Sequence, residues 1–433
     1  MSATENTNPP ANTNPPANPN PTKITSPTKN MPPRKKKLAI VTSHPIQYNA
    51  PWFKLLAASS VIHPSVFYTW EQSAAGAKYD PDFKERIEWD IPLLDGYEYR
   101  FVPNVATDPG THHFRGLVNP TLNAEITAWR PDAILVYGWS FHSHLKCLRH
   151  FHRRLPVLFR GDSTLLDERP GFRRQLRRWF LSWVYGHIDY ALYVGANNKE
   201  YFLRHGLREA NLVYAPHAID NRRFEEPSSQ YRQQAMEGRR RLGIAEDDLV
   251  LLFAGKLEPK KDPFFLLEIA RRVSDSRLKI VFAGTGVLDD ALREAAAPDP
   301  RVHFIGFQNQ QQMPVVYRLG DIYILPSRGP GETWGLGVNE AMASGCAIMM
   351  SEKAGGSPDL VEEGVNGIRF DPTTDGGLLK CTEWLTRLLD DRARLADMKQ
   401  ASRRRIAAFS YQQLTTALLK PGLLDSPPKP RLR

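Results

Sequence analysis

Short apolar runs alternate with helical patterns along most of this chain, and that alternation constrains its fold more than any other feature. Continuous runs of Val, Ile, Leu and Ala are typical of parallel strands that are covered on both faces. Helical patterns between the runs supply the crossover connections of a doubly wound parallel sheet. In the first half of the chain the strand candidates are Leu38–Ser43, Ile62–Tyr68, Tyr97–Val102, Ala133–Tyr137, Pro156–Phe159, Tyr190–Val194 and Leu212–Ala215.

The second half repeats the same alternation and ends in a long helical pattern over residues 375–407. A chain of 433 residues has room for two domains of ordinary size. We therefore predict an α/β fold with two Rossmann-like domains, at 38–217 and 218–408, which face a cleft and join near Pro216–Pro227. The strand candidates of the second domain are Leu249–Ala254, Leu278–Ala283, Val302–Phe304, Asp321–Leu325, Ala347–Ser351 and Ile368–Phe370.

Both ends of the chain are polar. Residues 1–37 are rich in Asn and Pro, repeat NTNPPA at 6–11 and 12–17, and end in a basic run, so we expect them to be disordered. Met31 is an alternative start of translation. Residues 409–420 have the pattern of a short helix, and 421–433 are expected to form a loose tail.

Composition narrows the class of protein. The sequence contains no apolar run of transmembrane length and no apolar segment of the secretory type near its start. Three widely spaced cysteines suit a reducing compartment, so a cytoplasmic location is expected. Of the net charge of +10, half falls in residues 1–37, which argues against a nucleic-acid partner for the folded part.

The segment Ser327–Gly345, with the sequence SRGPGETWGLGVNEAMASG, follows a predicted strand and leads into a helical pattern. Its glycines allow a ligand to approach the backbone closely, and the helix N-terminus offers free N–H donors to a phosphate. Glu332 and Glu340, with seven residues between them, can face one cleft and bind sugar hydroxyl groups. Open parallel sheets bind ligands at such strand ends, so this segment is a candidate nucleotide-sugar site.

A second candidate element lies at the end of the predicted strand Leu249–Ala254, in the sequence GKLEPKKD. Lys256 and Lys261 stand there, just before a helical pattern. Two ammonium groups in this place can neutralise a diphosphate without a metal ion. As an isolated segment, the same loop would be interpreted as carrying two solvated lysines.

Together these two segments resemble the donor half of retaining glycosyltransferases of the family-four group, which have the GT-B fold of two Rossmann-like domains. The resemblance spans roughly residues 38–420. It implies that Lys256 and Lys261 hold the pyrophosphate, that Glu332 contacts the transferred sugar and that Glu340 binds the ribose. It also implies that the helix of residues 409–420 packs back on the first domain.

The resemblance extends to the backbone of the candidate site. The sequence departs from the family's pattern in two places. It implies donor contacts for Gly335, Leu336 and Gly337, and tight turns at Gly255 and Gly284 beside the nucleotide. Trp334 follows Thr333 where a Gly-Phe pair is commoner, so we expect an enlarged aromatic wall. Lys256 stands where arginine is usual.

Three polar residues of the first domain are candidates for acceptor or sugar contacts. His44 follows the first strand, and Arg160 and Asp162 follow the strand Pro156–Phe159. Members of the family that this sequence resembles carry a histidine near the end of this second strand, where this chain has Arg160 and Asp162. A structural role for Asp162 in an ion pair remains open. No metal site is expected, since His142 and His144 have no third ligand nearby.

Residues 172–184 combine apolar and basic side chains at helical spacing. One interpretation is a helix whose apolar stripe faces the core and whose arginines cover the outside. The other is peripheral contact with the inner face of an anionic membrane, where a lipid-linked acceptor would lie.

The sequence therefore predicts a metal-independent, retaining hexosyltransferase without a cofactor. Its substrates would be a nucleoside diphosphate sugar and a hydroxyl-bearing glycan or lipid-linked acceptor, in glycan, polysaccharide or glycolipid biosynthesis. Lysines and a helix N-terminus would stabilise the leaving diphosphate. Two alternatives remain open: another GT-B enzyme, such as a nucleotide-sugar epimerase or a phosphorylase, and a non-catalytic carbohydrate-binding protein.

Overall fold

The computed structural model describes residues 34–71, 78–80, 85–87 and 90–425 of the chain. The predicted disorder of residues 1–33 and the end of the predicted loose tail, 426–433, lie outside this part. The strands are β1 (Lys36–Thr42), β2 (Ile62–Tyr68), β3 (Lys78–Asp80), β4 (Glu85–Ile87), β5 (Glu98–Phe101), β6 (Ala133–Tyr137), β7 (Val157–Arg160), β8 (Tyr190–Tyr193), β9 (Leu212–Tyr214), β10 (Leu249–Ala254), β11 (Leu278–Ala283), β12 (Val302–Phe304), β13 (Ile322–Leu325), β14 (Ala347–Ser351) and β15 (Gly367–Phe370).

Helices connect most of these strands, as the alternating pattern predicts. They are α1 (Ala50–Ala57), α2 (Leu122–Trp129), α3 (His142–Phe151), α4 (Phe172–Tyr185), α5 (Ala196–Arg204), α6 (Asn221–Glu225), α7 (Ser228–Arg241), α8 (Phe264–Arg272), α9 (Asp289–Ala296), α10 (Met313–Leu319), α11 (Leu336–Ser344), α12 (Ser357–Leu360), α13 (Asp375–Asp390), α14 (Arg392–Ile406) and α15 (Tyr411–Leu418). None of the helices in the described part combines the length and apolar character needed to span a bilayer.

Most of the described strands belong to two parallel sheets, and β3 and β4 pair with each other in antiparallel orientation. The first contains seven strands in the order β5-β2-β1-β6-β7-β8-β9, and the second contains six in the order β12-β11-β10-β13-β14-β15. In the second sheet, chain order reverses between β10 and β13, which pair through Leu251 and Ile322. Ligands of doubly wound sheets bind outside the carboxyl ends of the strands at such a reversal. Both candidate donor segments follow these two strands.

Each sheet is covered on both faces, which explains why its strands are continuously apolar. In β10, Leu251 and Phe253 join one buried cluster, whereas Val250 and Leu252 join the cluster on the opposite face. Strand β1 divides its side chains in the same way between the two clusters of the first sheet. The predicted α/β class with two doubly wound sheets is confirmed. The exact domain boundary near residue 217 stays a prediction.

The two predicted tails are shorter than expected. Lys36 and Lys37 belong to β1, where the Lys36 amide donates to Val61 O at 2.7 Å and the Lys37 amide to Asp132 Oδ2 at 2.8 Å. At the other end, Leu423 and Leu424 are buried in the core of the first domain. Pairing of β1 with β2 and burial of the two leucines therefore extend order into both segments that their local composition marks as loose.

The long helical pattern over residues 375–407 is two helices, not one. Asp391 separates α13 from α14, and its carboxylate accepts a hydrogen bond from the Arg394 amide at 2.9 Å. An aspartate that caps a new helix in this way competes with continuation of the preceding one.

Contacts between the two halves close one side of the cleft. Thr333 Oγ1 donates to Asp162 Oδ2 at 2.8 Å, and the Gly331 amide donates to Asp167 Oδ2 at 2.8 Å. The loop before α11 is therefore held by the segment that follows β7.

Candidate active site

A cavity of about 410 Å³ lies between the carboxyl ends of β10 and β13 and the loop after β1. Most of its walls come from the second domain, and Gln47 and Tyr48 close it from the first domain. The predicted site residues that line it are Gly255, Lys256, Lys261, Gly284, Gly335, Leu336, Gly337 and Glu340. The fold thus brings both candidate donor segments into a single cavity.

Glu340 is the buried acid of this cavity. It lies on α11 and is 3% exposed. Tyr317 donates its hydroxyl hydrogen to Oε2 at 2.7 Å, and the nearest cation, the Arg223 guanidinium, is 4.0 Å from Oε1. Oε1 accepts no hydrogen bond from the residues that the structure describes. Burial raises the pKa of Glu340, while the Tyr317 hydrogen bond, the charge of Arg223 and a hydrogen bond from Tyr48 act to lower it. Such a half-satisfied carboxylate is suited to accept hydrogen bonds from a ligand.

The N-terminus of α11 points its backbone at the same cavity. Gly335 precedes the helix with φ +99° and has no side chain with which to cap it. A Cβ at Gly337 would lie 2.7 Å from the Tyr323 hydroxyl and 3.2 Å from that of Tyr317. Glycine is therefore required here, and it leaves the amide donors of the first turn open to an anion.

Two lysines bring positive charge to the cavity wall. Lys256 follows β10 directly. Lys261 forms a close ion pair between its Nζ and Glu332 Oε2, and Ser327 donates to the same oxygen at 3.0 Å. Glu332 is 9% exposed and does not itself line the cavity. Through this pair the fold connects the predicted phosphate-binding and sugar-binding residues.

Two further glycines let the loops at the strand ends pack closely. Gly255 has φ +152° and Gly284 has φ +136°, values that L side chains rarely adopt. A Cβ at Gly284 would lie only 2.0 Å from the carbonyl oxygen of Gly255. The two turns that form the rear of the cavity thus depend on glycine at position 284.

Trp334 does not form the expected aromatic wall of the cavity. Its indole is 3% exposed, donates to Asn339 Oδ1 at 2.9 Å and packs 5.4 Å from the His217 ring. The ring therefore fills the contact between the loop and the first domain. The large side chain of Trp334 fills the space where α11 and the segment around His217 approach each other.

None of the three candidates from the first domain lines the cavity. Arg160 is buried and donates to Ala215 O at 2.8 Å and to Pro216 O at 3.0 Å, so its guanidinium holds the start of the linker rather than a substrate. His44 lies against Ser43 and does not line the cavity.

Asp162 ties the two domains together. Burial acts to raise the pKa of its carboxyl group, but hydrogen bonds from His217 and Thr333 outweigh that effect and lower the pKa to about 2. The open alternative of a structural Asp162 is thus supported by its contacts. A role in contacting an acceptor stays a prediction for Asp162 and for His44.

Several cavity residues have no motif in the sequence. Tyr317 and Tyr323 lie on α10 and β13, where their spacing marks them as core residues. Gln47 and Tyr48 follow β1, and their place at a parallel strand end is the one signal that sequence reasoning could have used. Arg223 lies far from both motifs in the chain and reaches Glu340 only in the tertiary structure.

One group of described residues has the geometry of a metal-binding cluster, namely Asp108, His112 and His113. None of the three lines the cavity. The absence of a metal or cofactor from the reaction stays a prediction.

Comparison with known proteins finds similarity to one family in the second half of the chain. Residues 235–405 match the family described as glycosyl transferases group 1. The chain is 29% identical to the sulfoquinovosyl transferase of Arabidopsis thaliana over 203 residues. This aligned region covers 46% of this chain and 37% of that protein. It is 31% identical over 196 residues to the D-inositol 3-phosphate glycosyltransferase of Nocardia farcinica, with 42% of each covered. The chain thus spans less than half of the length of these curated relatives.

The whole described fold has counterparts among solved structures. One is HepE of Anabaena in complex with UDP, which has a TM-score of 0.65 and 17% identity and covers 88% of this chain and 98% of that one. The same protein has been solved with UDP-glucose. The fold is therefore GT-B, as predicted.

Proposed function

We propose that this protein transfers a hexosyl group from a nucleoside diphosphate sugar to a hydroxyl acceptor, with retention of the anomeric configuration and without a metal ion. The observation that carries the proposal is the convergence of Glu340, two lysines and the α11 N-terminus on one cavity. The complexes of the similar HepE structure with UDP and UDP-glucose support a nucleotide sugar as the donor.

In this proposal each end of the donor meets a different part of the cavity. The free Oε1 of Glu340 accepts from ribose hydroxyl groups, while Tyr317 keeps Oε2 in place. The first-turn amides of α11, Lys256 and Lys261 face the diphosphate and stabilise the charge that develops on it as it leaves. Glu332 orients the Lys261 ammonium and contacts the transferred sugar.

The acceptor enters from the side of the first domain. Its hydroxyl oxygen forms a bond to the anomeric carbon as the bond from that carbon to the diphosphate oxygen breaks. The hydroxyl proton passes to the leaving diphosphate, which lies on the same face, so the configuration is retained. Exclusion of water by the closed cleft limits hydrolysis of the donor.

Thermal shift with a panel of nucleoside diphosphates, each with and without a chelator, tests the donor site. We expect one diphosphate to stabilise the protein equally in both conditions. Loss of the shift with the chelator would contradict the metal-independent site. Slow hydrolysis of the matching nucleotide sugar, with a product of unchanged anomeric configuration by NMR, separates a transferase from an epimerase, a phosphorylase or a non-catalytic binding protein.

A further inference from the structure

Helix α4 presents an apolar stripe to solvent. Phe172 is 81% exposed, Leu176 56%, Trp179 71% and Trp183 40%. Their spacing of four, three and four residues places them on one face of the helix. The interpretation in which the apolar side chains of α4 face the protein core is therefore wrong for these four residues, whereas Val184 is buried as that interpretation expects.

The same helix has a separate face for the core. Leu181, Val184 and Tyr185 are buried in the first domain. Packing of the helix thus accounts for those three residues and leaves the exposed stripe without a role in folding. A run of large exposed apolar side chains on one helix marks an interaction surface.

The charged side chains on α4 itself are all positive. Residues 169–188 contain five arginines and no Asp or Glu. Arg173 and Arg177 are exposed beside the stripe, and Arg149 of α3 lies over the Trp183 ring at 5.5 Å from its centroid. Of the two acids that precede this segment, Glu168 has a side chain that is 6% exposed and pairs with Arg178 at 2.6 Å, and Asp167 accepts from the Gly331 amide at 2.8 Å.

We propose that this α4 face docks on the surface of an anionic lipid bilayer. Tryptophan, phenylalanine and leucine side chains insert at the boundary between headgroups and acyl chains, and flanking arginines bind anionic headgroups. Charge complementarity favours lipid over a second copy of the chain, since two such faces would bring their arginines together.

The position of α4 relates this surface to the cleft. Asp167, which holds the Gly331 amide of the donor loop, precedes Phe172 by five residues, so at most about 18 Å of chain separates them. Docking through α4 would therefore place the cleft close to the membrane. A further consequence rests on the proposed function. If the protein transfers a sugar to a hydroxyl group, that hydroxyl belongs to a molecule carried in the bilayer.

Vesicle co-sedimentation of the full-length chain tests the docking surface, with phosphatidylcholine vesicles prepared with and without phosphatidylglycerol. We expect sedimentation with the anionic vesicles only, and its loss when salt rises from about 0.1 M to about 1 M, where the screening length falls from about 10 Å to about 3 Å. Equal binding to both vesicles, or binding to neither, would overturn the proposal.

Matched variants locate the contact. The double variant Phe172→Ser/Trp179→Ser should lower partitioning into anionic vesicles by at least about tenfold. Arg173→Gln/Arg177→Gln should lower it and weaken its dependence on salt. The control Met236→Ser/Val287→Ser removes apolar side chains of 46% and 52% exposure from the second half and should bind like the wild type.

Two further readouts make the result specific. Unchanged melting temperatures show that the variants fold, and the diphosphate-induced thermal shift shows whether the donor site is intact. A docking surface that fails this test leaves diphosphate binding intact, whereas a failed donor site leaves vesicle binding intact. A dimer that the Phe172→Ser/Trp179→Ser variant abolishes, together with no vesicle binding, would assign the stripe to a second copy of the chain and refute the lipid proposal.

Discussion

At the scale of single residues, the binding role proposed for Glu340 opposes the stability of the free protein. Its carboxyl group is almost completely buried, and burial raises its pKa because the ionised form loses hydration. A carboxyl group whose pKa is raised by folding contributes stability at low pH, and this contribution is lost as the pH rises through the folded-state value. The ionised Glu340 that would bind a ribose therefore destabilises the free protein.

Glu340→Gln is expected to weaken diphosphate binding by about ten- to a hundredfold, since a charge-assisted hydrogen bond contributes about 1.5–3 kcal/mol. At neutral pH the same variant should melt at an equal or higher temperature than the wild type, because it removes a buried charge. Calorimetric titration and thermal melting measure the two effects. Equal affinities for variant and wild type would remove Glu340 from the site.

The control for this measurement must lie away from the cavity. Lys54, which the sequence places on the first helix without any link to the donor half, lines a second cavity together with Asp220, Arg223 and Glu340. It is therefore unsuitable. Glu383→Gln, on α13 with a side chain that is 53% exposed, makes the same chemical change at a solvated position and should leave affinity unchanged.

The buried His144 makes the stability of the folded protein depend on pH in the acid range. Burial lowers the pKa of His144 to about 4, and hydrogen bonds to backbone carbonyl groups counteract this only in part. The neutral ring donates from Nδ1 to Tyr137 O at 2.8 Å. As the pH falls, the unfolded chain, in which the histidine pKa is about 6.5, binds a proton before the folded protein does. The stability that the neutral His144 ring contributes is therefore complete above about pH 6.5 and is lost between about pH 6.5 and 4.

Replacement of His144 by Asn, which retains a donor towards Tyr137 O, should therefore flatten the fall in stability between about pH 6.5 and 4. The lost contribution is about 3 kcal/mol. Urea unfolding at several pH values measures it as the difference in slope between the two proteins. Parallel pH profiles would show that His144 does not titrate in this range.

At the scale of elements, the loop and helix at Gly335 depend on a backbone conformation. Gly335 has φ +99°, and a Cβ there would lie 2.6 Å from Leu325 Cδ2 at the end of β13. Strand and helix thus approach so closely at the cavity that only glycine joins them. The close approach of strand and helix orients the first turn of α11 towards the cavity.

Gly335→Ala should lower the free energy of unfolding by about 2 kcal/mol and also weaken diphosphate binding, because relief of the clash displaces the start of α11. The matched control is Gly376→Ala in α13, where a Cβ meets no atom within 4 Å and φ is not positive. That change should stabilise the protein by about 0.5–1 kcal/mol and leave binding intact. Chemical unfolding and titration of both variants provide the test, and a harmless Gly335→Ala would show that the junction is not strained.

At the scale of the whole molecule, the C-terminal segment belongs to the first domain although it follows the second in sequence. Tyr411, Leu414 and Leu418 of α15 are buried with β1 and α1, together with Leu423 and Leu424. The Tyr411 hydroxyl donates to Tyr48 O at 3.1 Å, next to the cavity. The end of the chain thus supports the loop that closes the candidate site from the first domain.

Leu418→Ala should destabilise the protein by about 3 kcal/mol, because the side chain is fully buried and leaves a cavity. Deletion of residues 411–433 should prevent the first domain from folding. Deletion of residues 1–30, which have no core-forming composition, serves as the control and should leave the melting temperature unchanged. A Leu418→Ala variant as stable as the wild type would contradict the docking of α15.

The sequence by itself determined the elements and the approximate place of the candidate site. Periodicity and continuous apolar runs report the direction of each side chain relative to its own strand or helix, so they predict the two parallel sheets. Lys256, Lys261, Glu332 and Glu340 stand at strand ends or helix starts, and parallel topology alone brings such ends to one edge. Four residues from two motifs could therefore be assigned to one region without a structure.

Only the tertiary structure decided which side chains meet between elements. Arg160 turns inward to linker carbonyl groups, Trp334 packs between the domains, and Tyr317 reaches Glu340 from a helix that shows no motif. The stripe on α4 is exposed because a second face of that helix fills the core. A local pattern fixes where a side chain points on its own element, but its partner depends on how elements distant in the chain dock, which no local pattern specifies.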